Sequence, residues 1–428
     1  MNYKPLKFST VFFKRFPSAS PFRKVPALCL LACTFMLLGF SGPNLAKEEG
    51  VKAKIWVGTW GTAPQLVEPK NMPPAPGLSN NTFRQVVCVS IGGSKLRLKF
   101  SNEFSKSPVI MKAVQIAVSN GGSAIDESTT KALEFNGKQE ITMEPGAEII
   151  SDPVSFDLKP RMLVAITISY GETSETITGH PGSRTTSYIL PGDHTSPNTD
   201  FKDAFTTDHW YNITGIDVEA PKSAAAVAVF GDSITDGRGS GTNKQDRWPD
   251  MLEMALLKNP ATKQVGVLNM GIGGNCVLRG GLGPTGLNRF EHDVLKQNGV
   301  RWLIIFEGVN DLGSTRDSTR ASEVAKGLIA AFDQMITKAH AQGIKVYGAT
   351  ITPIKKSFYY TDYRETARNT VNTWIRTSGH FDAVIDFDKA IVNPDGTILP
   401  DAQSGDYLHP NELGYQMMGD AVDLLLFK

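Results

Sequence analysis

The sequence predicts an all-β domain of the sandwich or jelly-roll type, followed by an α/β domain with a parallel sheet. Short runs rich in β-branched or alternating residues recur from about residue 53 to 215, and turn residues separate them. From residue 224 onward, strand and helix patterns alternate. A chain of 428 residues has room for both domains. We predict a β domain over residues 47–220 and an α/β domain over residues 221–428.

The β domain is predicted from short strands at regular spacing. The run at 95–101 places Leu96, Leu98 and Phe100 on one face and Lys95, Arg97 and Lys99 on the other, which is typical of a half-buried strand. No segment with helical periodicity stands out in this part of the chain. The predicted strands cover residues 82–91, 95–101, 109–119, 149–155 and 162–169.

The α/β domain is predicted from five strand–helix units. The first strand is wholly apolar, as expected for a strand buried on both faces. Such units form a parallel sheet with right-handed crossovers and helices on both faces. The predicted strands are 224–230, 265–270, 301–306, 345–351 and 383–387, and the predicted helices are 247–258, 287–297, 319–342, 362–377 and 412–426. Ligands in such sheets bind beyond the carboxyl ends of the strands, so function is sought in the loops there.

The first 46 residues predict an export signal. Residues 1–24 contain six basic residues and no acidic one, an apolar run covers 25–40, and small residues lead to Ala46. We therefore predict a signal peptide over residues 1–46 and a periplasmic or extracellular protein. An uncleaved membrane anchor and a lipoprotein form at Cys33 remain alternatives.

Composition excludes several classes of protein. The formal net charge of the chain is +1, and the chain without residues 1–46 carries 38 basic and 43 acidic residues, so nucleic acid is not an expected partner. Four cysteines are too few for a disulfide scaffold, and only Cys88 and Cys276 follow the signal. We expect these two to be buried free thiols. No Cys/His cluster has metal-ligand spacing, and residues 237–244 do not spell a phosphate loop, so neither metal nor cofactor is expected.

Polar residues follow the predicted strands where a hydrolase would need them. Ser233 lies directly after the first strand, in the position of a nucleophile. A glycine-rich loop containing Gly274 follows the second strand and Asn310 follows the third, so both can supply oxyanion donors. Asp406 precedes His409 by three residues, and this spacing allows the carboxylate to orient the imidazole as a base. Each segment taken alone is more commonly an ordinary turn or helix cap.

Residues 226–428 resemble the SGNH (GDSL-like) hydrolases. The resemblance rests on four blocks in order: Gly231-Asp232-Ser233, Gly274, Gly308-x-Asn310-Asp311 and Asp406-x-x-His409. It implies a flavodoxin-like three-layer fold and ester hydrolysis, with Ser233 as nucleophile, His409 as general base and Asp406 as orienting acid. It also implies an oxyanion hole made by the Ser233 and Gly274 N–H groups and the Asn310 amide. Gly273 departs from the family, in which many members have serine before the block glycine.

Segments of the β domain look like a secreted bacterial subgroup of this family with a β domain before the hydrolase domain. They are residues 56–60, 84–87 and 180–182, together with residues 247–249 in the α/β domain. We expect a serine esterase acting on acylated, for example acetylated, carbohydrate. A lipase or lysophospholipase with the same triad, and a non-catalytic carbohydrate-binding protein, remain alternatives. The turn containing His180 is a candidate cap over the active-site cleft, and the oligomeric state stays open.

Overall fold

The computed structural model describes residues 54–196 and 199–428, so the predicted signal peptide lies outside the described residues. The amino-terminal part, the β region, consists of antiparallel strands. In chain order they are β1 (Lys54–Gly61), β2 (Gln65–Leu66), β3 (Asn81–Cys88), β4 (Gly93–Ser101), β5 (Val109–Gly121), β6 (Ala124–Ala132), β7 (Ile141–Met143), β8 (Glu148–Ile150), β9 (Val154–Leu158), β10 (Leu163–Tyr170), β11 (Thr178–His180), β12 (Ser187–Pro191), β13 (Phe205–Thr207), β14 (Trp210–Tyr211) and β15 (Ile213–Pro221).

Two larger sheets and one small sheet make up the β region. One has the order β1-β15-β4-β8, with β9 also paired to β4, and the other has the order β13-β12-β3-β10-β5-β6, with β7 also paired to β5. The small sheet has the order β14-β11-β2. Leu96, Leu98 and Phe100 on β4 are fully buried, as their alternation predicts.

The carboxyl-terminal part is the predicted parallel α/β domain. Its strands are β16 (Ala225–Gly231), β17 (Val265–Gly271), β18 (Val300–Phe306), β19 (Lys345–Ala349) and β20 (Ala383–Ile385). Its helices are α1 (Ser233–Asp236), α2 (Trp248–Lys258), α3 (Gly286–Phe290), α4 (Val309–Gly313), α5 (Ser318–His340), α6 (Asp362–Thr377), α7 (Phe387–Ile391) and α8 (Glu412–Asp420). The strand order β17-β16-β18-β19-β20 is that of flavodoxin-like sheets. The predicted fold class is confirmed.

Strand β16 is apolar throughout because both of its faces are buried. Ala226, Ala228 and Phe230 belong to a core that includes residues of α5 and α6. The intervening Ala225, Val227 and Val229 belong to a second core that includes residues of α2 and α8. Because alternate side chains of a strand point to opposite faces, the sheet is covered by helices on both sides.

Some boundaries differ from the sequence prediction for local reasons. Residues 149–155 form parts of two strands, β8 and β9, because Pro153 has no N–H to continue a ladder. The last helix ends at Asp420 and a 3₁₀ turn, Leu424–Phe427, follows it. Strand β6 was not predicted, because its side chains are largely polar and none is buried, which leaves no hydrophobic alternation to detect.

The β region covers the edge strand β17 of the parallel sheet. A Cβ on Gly266 would lie 2.4 Å from the Gly58 carbonyl oxygen. The close approach of the β1 and β17 backbones at this point therefore requires glycine. The Val267 N–H, which points away from the sheet, donates to Ser90 Oγ at 3.1 Å. The edge is thereby paired with β-region atoms and is not open to another strand.

The described residues form one compact unit. One hydrophobic core joins the two parts, since Val57 and Trp60 of β1 belong to the same cluster as Leu268 and Met270 of β17. The predicted boundary at 220/221 falls at the end of β15 and stays a prediction. Among the described helices, none has the length and apolar character needed to span a bilayer.

Candidate active site

Ser233 is held at the carboxyl end of β16 by the turn into α1. Gly231 is required there, because a Cβ would lie 2.0 Å from Thr235 Oγ1 and 2.8 Å from the Phe306 carbonyl oxygen. Asp232 caps the helix by accepting a hydrogen bond of 3.0 Å from the Ile234 N–H. Ser233 is thus the first residue of α1, and its side chain lines a cleft above the sheet.

His409 and Asp406 complete a hydrogen-bonded chain with Ser233. The His409 Nε2 atom lies 2.9 Å from Ser233 Oγ, and the His409 Nδ1 atom lies 2.7 Å from Asp406 Oδ2. The other Asp406 oxygen accepts from the backbone N–H groups of Leu408 and His409. These bonds fix the turn before α8, so the imidazole is oriented in the folded protein before any substrate binds.

The electrostatics of the pair suit a general base. Burial lowers the pKa of His409 below its usual value, although the hydrogen bond with Asp406 acts in the opposite direction. Burial raises the pKa of Asp406, but the hydrogen bonds from the His409 backbone and side chain outweigh this, and the pKa lies below its ordinary value. At neutral pH, Asp406 is therefore charged and His409 is neutral and able to accept a proton.

The three predicted oxyanion donors lie around the same cleft. The Ser233 N–H is in the first turn of α1, where backbone N–H groups have no acceptor within the helix. Gly274 has a φ of +72° in the loop after β17, which favours glycine at this position. Gly274 and Asn310 both line the cleft with Ser233. The structure therefore brings together every site residue predicted from the sequence, while their catalytic roles stay a prediction.

The Asn310 amide is held at both ends. Its Nδ2 group donates to the Asn275 carbonyl oxygen at 2.9 Å, and its Oδ1 atom accepts from the Tyr359 hydroxyl at 2.9 Å. With the oxygen fixed by Tyr359, the amide N–H₂ group faces the Gly274 loop. Tyr359 belongs to the aromatic segment 357–363, whose residue types alone do not reveal this contact.

A buried arginine ties the loops of the site together. Arg289 is only 3% exposed, and its guanidinium donates to the Gly231 carbonyl oxygen at 2.9 Å and to Asn275 Oδ1 at 2.9 Å. It also forms ion pairs with Asp293 and Glu307. Gly231 lies two residues before the nucleophile and Asn275 follows Gly274. Arg289 therefore holds the nucleophile turn and the glycine loop at a fixed separation.

Residues 229–417 match the model of the GDSL-like Lipase/Acylhydrolase family. The carboxyl-terminal domain belongs to this family of carboxylic ester hydrolases.

Three solved structures show the extent of the likeness. A member of the lipolytic protein G-D-S-L family from Veillonella parvula DSM 2008 is 24% identical, with a TM-score of 0.35, over 46% of this chain and 96% of its own. The lipase/acylhydrolase from Enterococcus faecalis is 22% identical, with a TM-score of 0.35, over 46% and 92%. A catalytic mutant of an acetylxylan esterase from Geobacillus stearothermophilus is 21% identical, with a TM-score of 0.36, over 46% and 91%. No curated protein matches the sequence.

The active-site cleft of the GDSL-like domain has one wall from the β region. The cleft has a volume of about 300 Å³. Besides the site residues, its lining includes Gln65, Glu68, Lys70, Asn71, Pro181, Gly182, Arg184 and His209 from the β region, and Arg238, Leu282, Phe358 and Leu408 from the GDSL-like domain. Among these β-region residues, Pro181 and Gly182 lie in the turn that the sequence predicts at the cleft, and the others are not predicted there.

His180 does not line this cleft but lies behind its wall. It is buried, its Nε2 atom lies 2.9 Å from Asp236 Oδ1, and its Nδ1 atom lies 2.9 Å from the Ala63 carbonyl oxygen. Asp236 is the last residue of α1, so His180 links the β region to the helix that begins with Ser233. The following residues, Pro181 and Gly182, reach the cleft. Gly273, where many family members have serine, lies beside the His180–Asp236 pair. A Cβ at this position would lie 3.3 Å from Asp236 Oδ2.

One group of possible metal ligands lies outside this cleft among the described residues. Glu103, Glu148 and His292 place ligand atoms within 4.8 Å of one another. Both glutamates are exposed, and His292 is already hydrogen-bonded to Glu148 and Asp293, so the group carries no metal assignment. Cys88 and Cys276 are buried and free, and burial raises the pKa of each thiol to about 12.

Replacing Asn310 by alanine is expected to lower kcat by about 10²- to 10³-fold with little change in KM, since an oxyanion donor acts mainly in the transition state. Tyr359→Phe keeps the amide but removes the hydroxyl that orients it, so we expect a smaller loss in the same parameter. Steady-state kinetics on p-nitrophenyl acetate measures both. Asn369→Ala, on the exposed face of α6, is the matched control. An Asn310→Ala variant with a kcat within about threefold of the wild type would remove Asn310 from the oxyanion hole.

Proposed function

We propose that the protein is an exported serine esterase that hydrolyses short acyl esters, such as acetyl esters, on carbohydrate. The observation that carries the proposal is the hydrogen-bonded chain from Asp406 through His409 to Ser233, which opens into a polar cleft shared with the β region. Export rests on the pattern of residues 1–46. Amino-terminal sequencing of the recovered protein tests it.

The geometry supports a two-step acyl transfer. Ser233 Oγ attacks the ester carbonyl carbon while His409 Nε2 accepts the hydroxyl proton. The Ser233 and Gly274 N–H groups and the Asn310 amide stabilise the oxyanion of the tetrahedral intermediate. The sugar hydroxyl leaves with the proton from His409, and an acyl-serine remains. Water then attacks the acyl carbon as His409 takes its proton, which releases the carboxylic acid and restores Ser233.

The lining of the cleft supports a sugar in preference to a long acyl chain. Twelve of the nineteen residues that line the cleft have side chains that can form hydrogen bonds, and they come from both the β region and the GDSL-like domain. Sugars present many hydroxyl groups, and such groups pair with a polar lining. Phe358 is 67% exposed at the cleft and offers a flat face for stacking.

A lipid ester is the second candidate. Leu282, which lines the cleft, is 41% exposed and adjoins the Gly274 loop, so an apolar acyl group has a surface to contact there. The third alternative, a binding protein without activity, is not supported by a complete and correctly spaced triad.

The proposal is tested by a release assay on three substrate classes. Wild-type protein is expected to release acetate from acetylated xylan or acetylated pectin, with kcat/KM on p-nitrophenyl esters falling as the acyl chain lengthens from acetyl to octanoyl. Release of fatty acid from lysophospholipid should be slower than release of acetate from polysaccharide. The opposite order, with chain lengths above about eight carbons preferred, would replace the carbohydrate proposal by the lipid one.

A further inference from the structure

Two arginines border the catalytic base and come from different parts of the chain. Arg184 lies between β11 and β12 in the β region, and Arg238 follows α1 in the GDSL-like domain. Both line the cleft together with Ser233 and His409. Burial is the largest cause that lowers the pKa of His409, and the positive charges of Arg238 and Arg184 lower it further, as expected for cations near the imidazole. We call these two residues the arginine pair.

Neither guanidinium of the arginine pair has a hydrogen-bond acceptor or a carboxylate partner among the described residues. The Arg184 Nε atom is shielded from solvent without any partner. Arg184 also has a φ of +52°, and its backbone carbonyl accepts from the Asn243 N–H at 2.9 Å. Unpaired buried donors and strained backbone both cost free energy, and such features concentrate where a ligand is bound.

Arg184 is half-buried and Arg238 is exposed at the cleft, whereas three buried arginines of the GDSL-like domain have carboxylate partners. Arg247 pairs with Asp250, Arg289 with Asp293 and Glu307, and Arg368 with Glu365 and Asp388. These arginines have structural partners within the fold. The arginine pair lacks such partners, so its charge is directed to whatever enters the cleft.

The carboxylates that line the cleft do not neutralise the arginine pair. Glu68 accepts hydrogen bonds from Gln65 and Asn71, and Asp236 pairs with His180. Lys70 adds a further exposed cation to the lining. The cleft therefore has more positive than negative groups free to meet a ligand.

We propose that the arginine pair binds a carboxylate of the substrate, so that the protein acts on acyl esters of acidic carbohydrate, such as polymers of uronic acids. A guanidinium matches a carboxylate with two parallel hydrogen bonds. A lysophospholipid also carries an anion, but the polar lining of the cleft favours the sugar. This inference rests on the proposed carbohydrate esterase function and specifies its substrate.

The test compares two forms of one polymer. Acetylated polygalacturonate is used with free carboxylates and, separately, with the carboxylates methyl-esterified, and acetate release is measured at about pH 8, where His409 is neutral. We expect the wild type to have the higher kcat/KM on the free form. Arg184→Gln and Arg238→Gln should each lower the ratio of kcat/KM between the free and esterified forms by about tenfold. Arg320→Gln, which removes an exposed arginine paired with Glu323 on α5, should leave the ratio unchanged.

A second measurement needs only the wild type, so it decides the matter even if the variants fold poorly. Oligogalacturonate without acetyl groups should inhibit hydrolysis of p-nitrophenyl acetate competitively, and less strongly at higher NaCl concentration. Xylo-oligosaccharide of the same length, which is neutral, should inhibit far less. Equal inhibition by the two oligosaccharides would overturn the inference.

Two other outcomes separate this inference from the function on which it rests. If p-nitrophenyl acetate is hydrolysed but no acetylated polysaccharide releases acetate, the carbohydrate esterase proposal fails first. If acetate is released from both polymer forms with a ratio that Arg184→Gln and Arg238→Gln leave unchanged, the esterase proposal stands and the role of the arginine pair fails. If these variants lose activity on lysophospholipid while keeping the polymer ratio, the anion bound is a phosphate, and the acidic carbohydrate is wrong.

Discussion

The Ser233→Ala variant is expected to lose about 10⁶-fold in kcat on p-nitrophenyl acetate while remaining folded. The Ser233 Oγ atom is the nucleophile, and it is the hydroxyl to which His409 Nε2 is hydrogen-bonded. The residual rate should reflect the oxyanion donors and binding alone. Steady-state kinetics gives the loss, and mass spectrometry after rapid quenching shows whether an acyl group is still carried on the protein.

A matched serine distinguishes this loss from general damage. Ser223→Ala removes an exposed hydroxyl before β16 that donates a hydrogen bond to Gln264 Oε1, and it should keep full activity. His409→Ala is expected to lose about as much as Ser233→Ala, and the double variant little more, because the two groups act as a unit. Full turnover by Ser233→Ala would show that a different group attacks the ester.

The Arg289→Met variant is expected to lower the free energy of unfolding by about 3–5 kcal/mol. Methionine is similar in length, but it leaves Asp293 and Glu307 buried without their cation and the Gly231 and Met270 carbonyl oxygens without a donor. Burial already raises the pKa of Glu307 well above its usual value, which Arg289 partly offsets. Urea unfolding measures the loss.

The same substitution on an exposed helix provides the comparison. Arg320→Met breaks the exposed ion pair with Glu323, and such pairs contribute less than about 1 kcal/mol. Arg289→Met should also lower kcat in the fraction that stays folded, because the turn before Ser233 and the loop after Gly274 lose their common donor. A free energy of unfolding as high as that of Arg320→Met would show that Arg289 is not needed to hold these loops.

Residues that end strands could be predicted from the sequence. Ser233 and Asn310 follow continuous apolar runs, and a parallel sheet brings its carboxyl strand ends to one edge. His409 and Asp406 are close in sequence, so a single turn is enough to bring them together. The five-stranded sheet and most of its helices follow from hydrophobic periodicity for the same reason.

Contacts between distant segments could not be predicted. The hydrogen bond between Tyr359 and Asn310 joins segments that follow two different strands, and the one between His180 and Asp236 joins the β region to α1. Arg289 lies in a helical segment, and a charged residue in such a segment more commonly belongs to a solvent-exposed face of the helix. Such pairings depend on the packed geometry, which residue type and spacing in one sequence do not determine.

The link between His180 and Asp236 has a consequence for how substrates are selected. His180 is hydrogen-bonded to the helix that begins with Ser233, and the next two residues, Pro181 and Gly182, form part of the wall of the cleft, so this hydrogen bond couples the wall to the nucleophile. We therefore expect this wall to keep its distance from Ser233 when a substrate binds, so that the cost of fitting the cleft falls on the substrate.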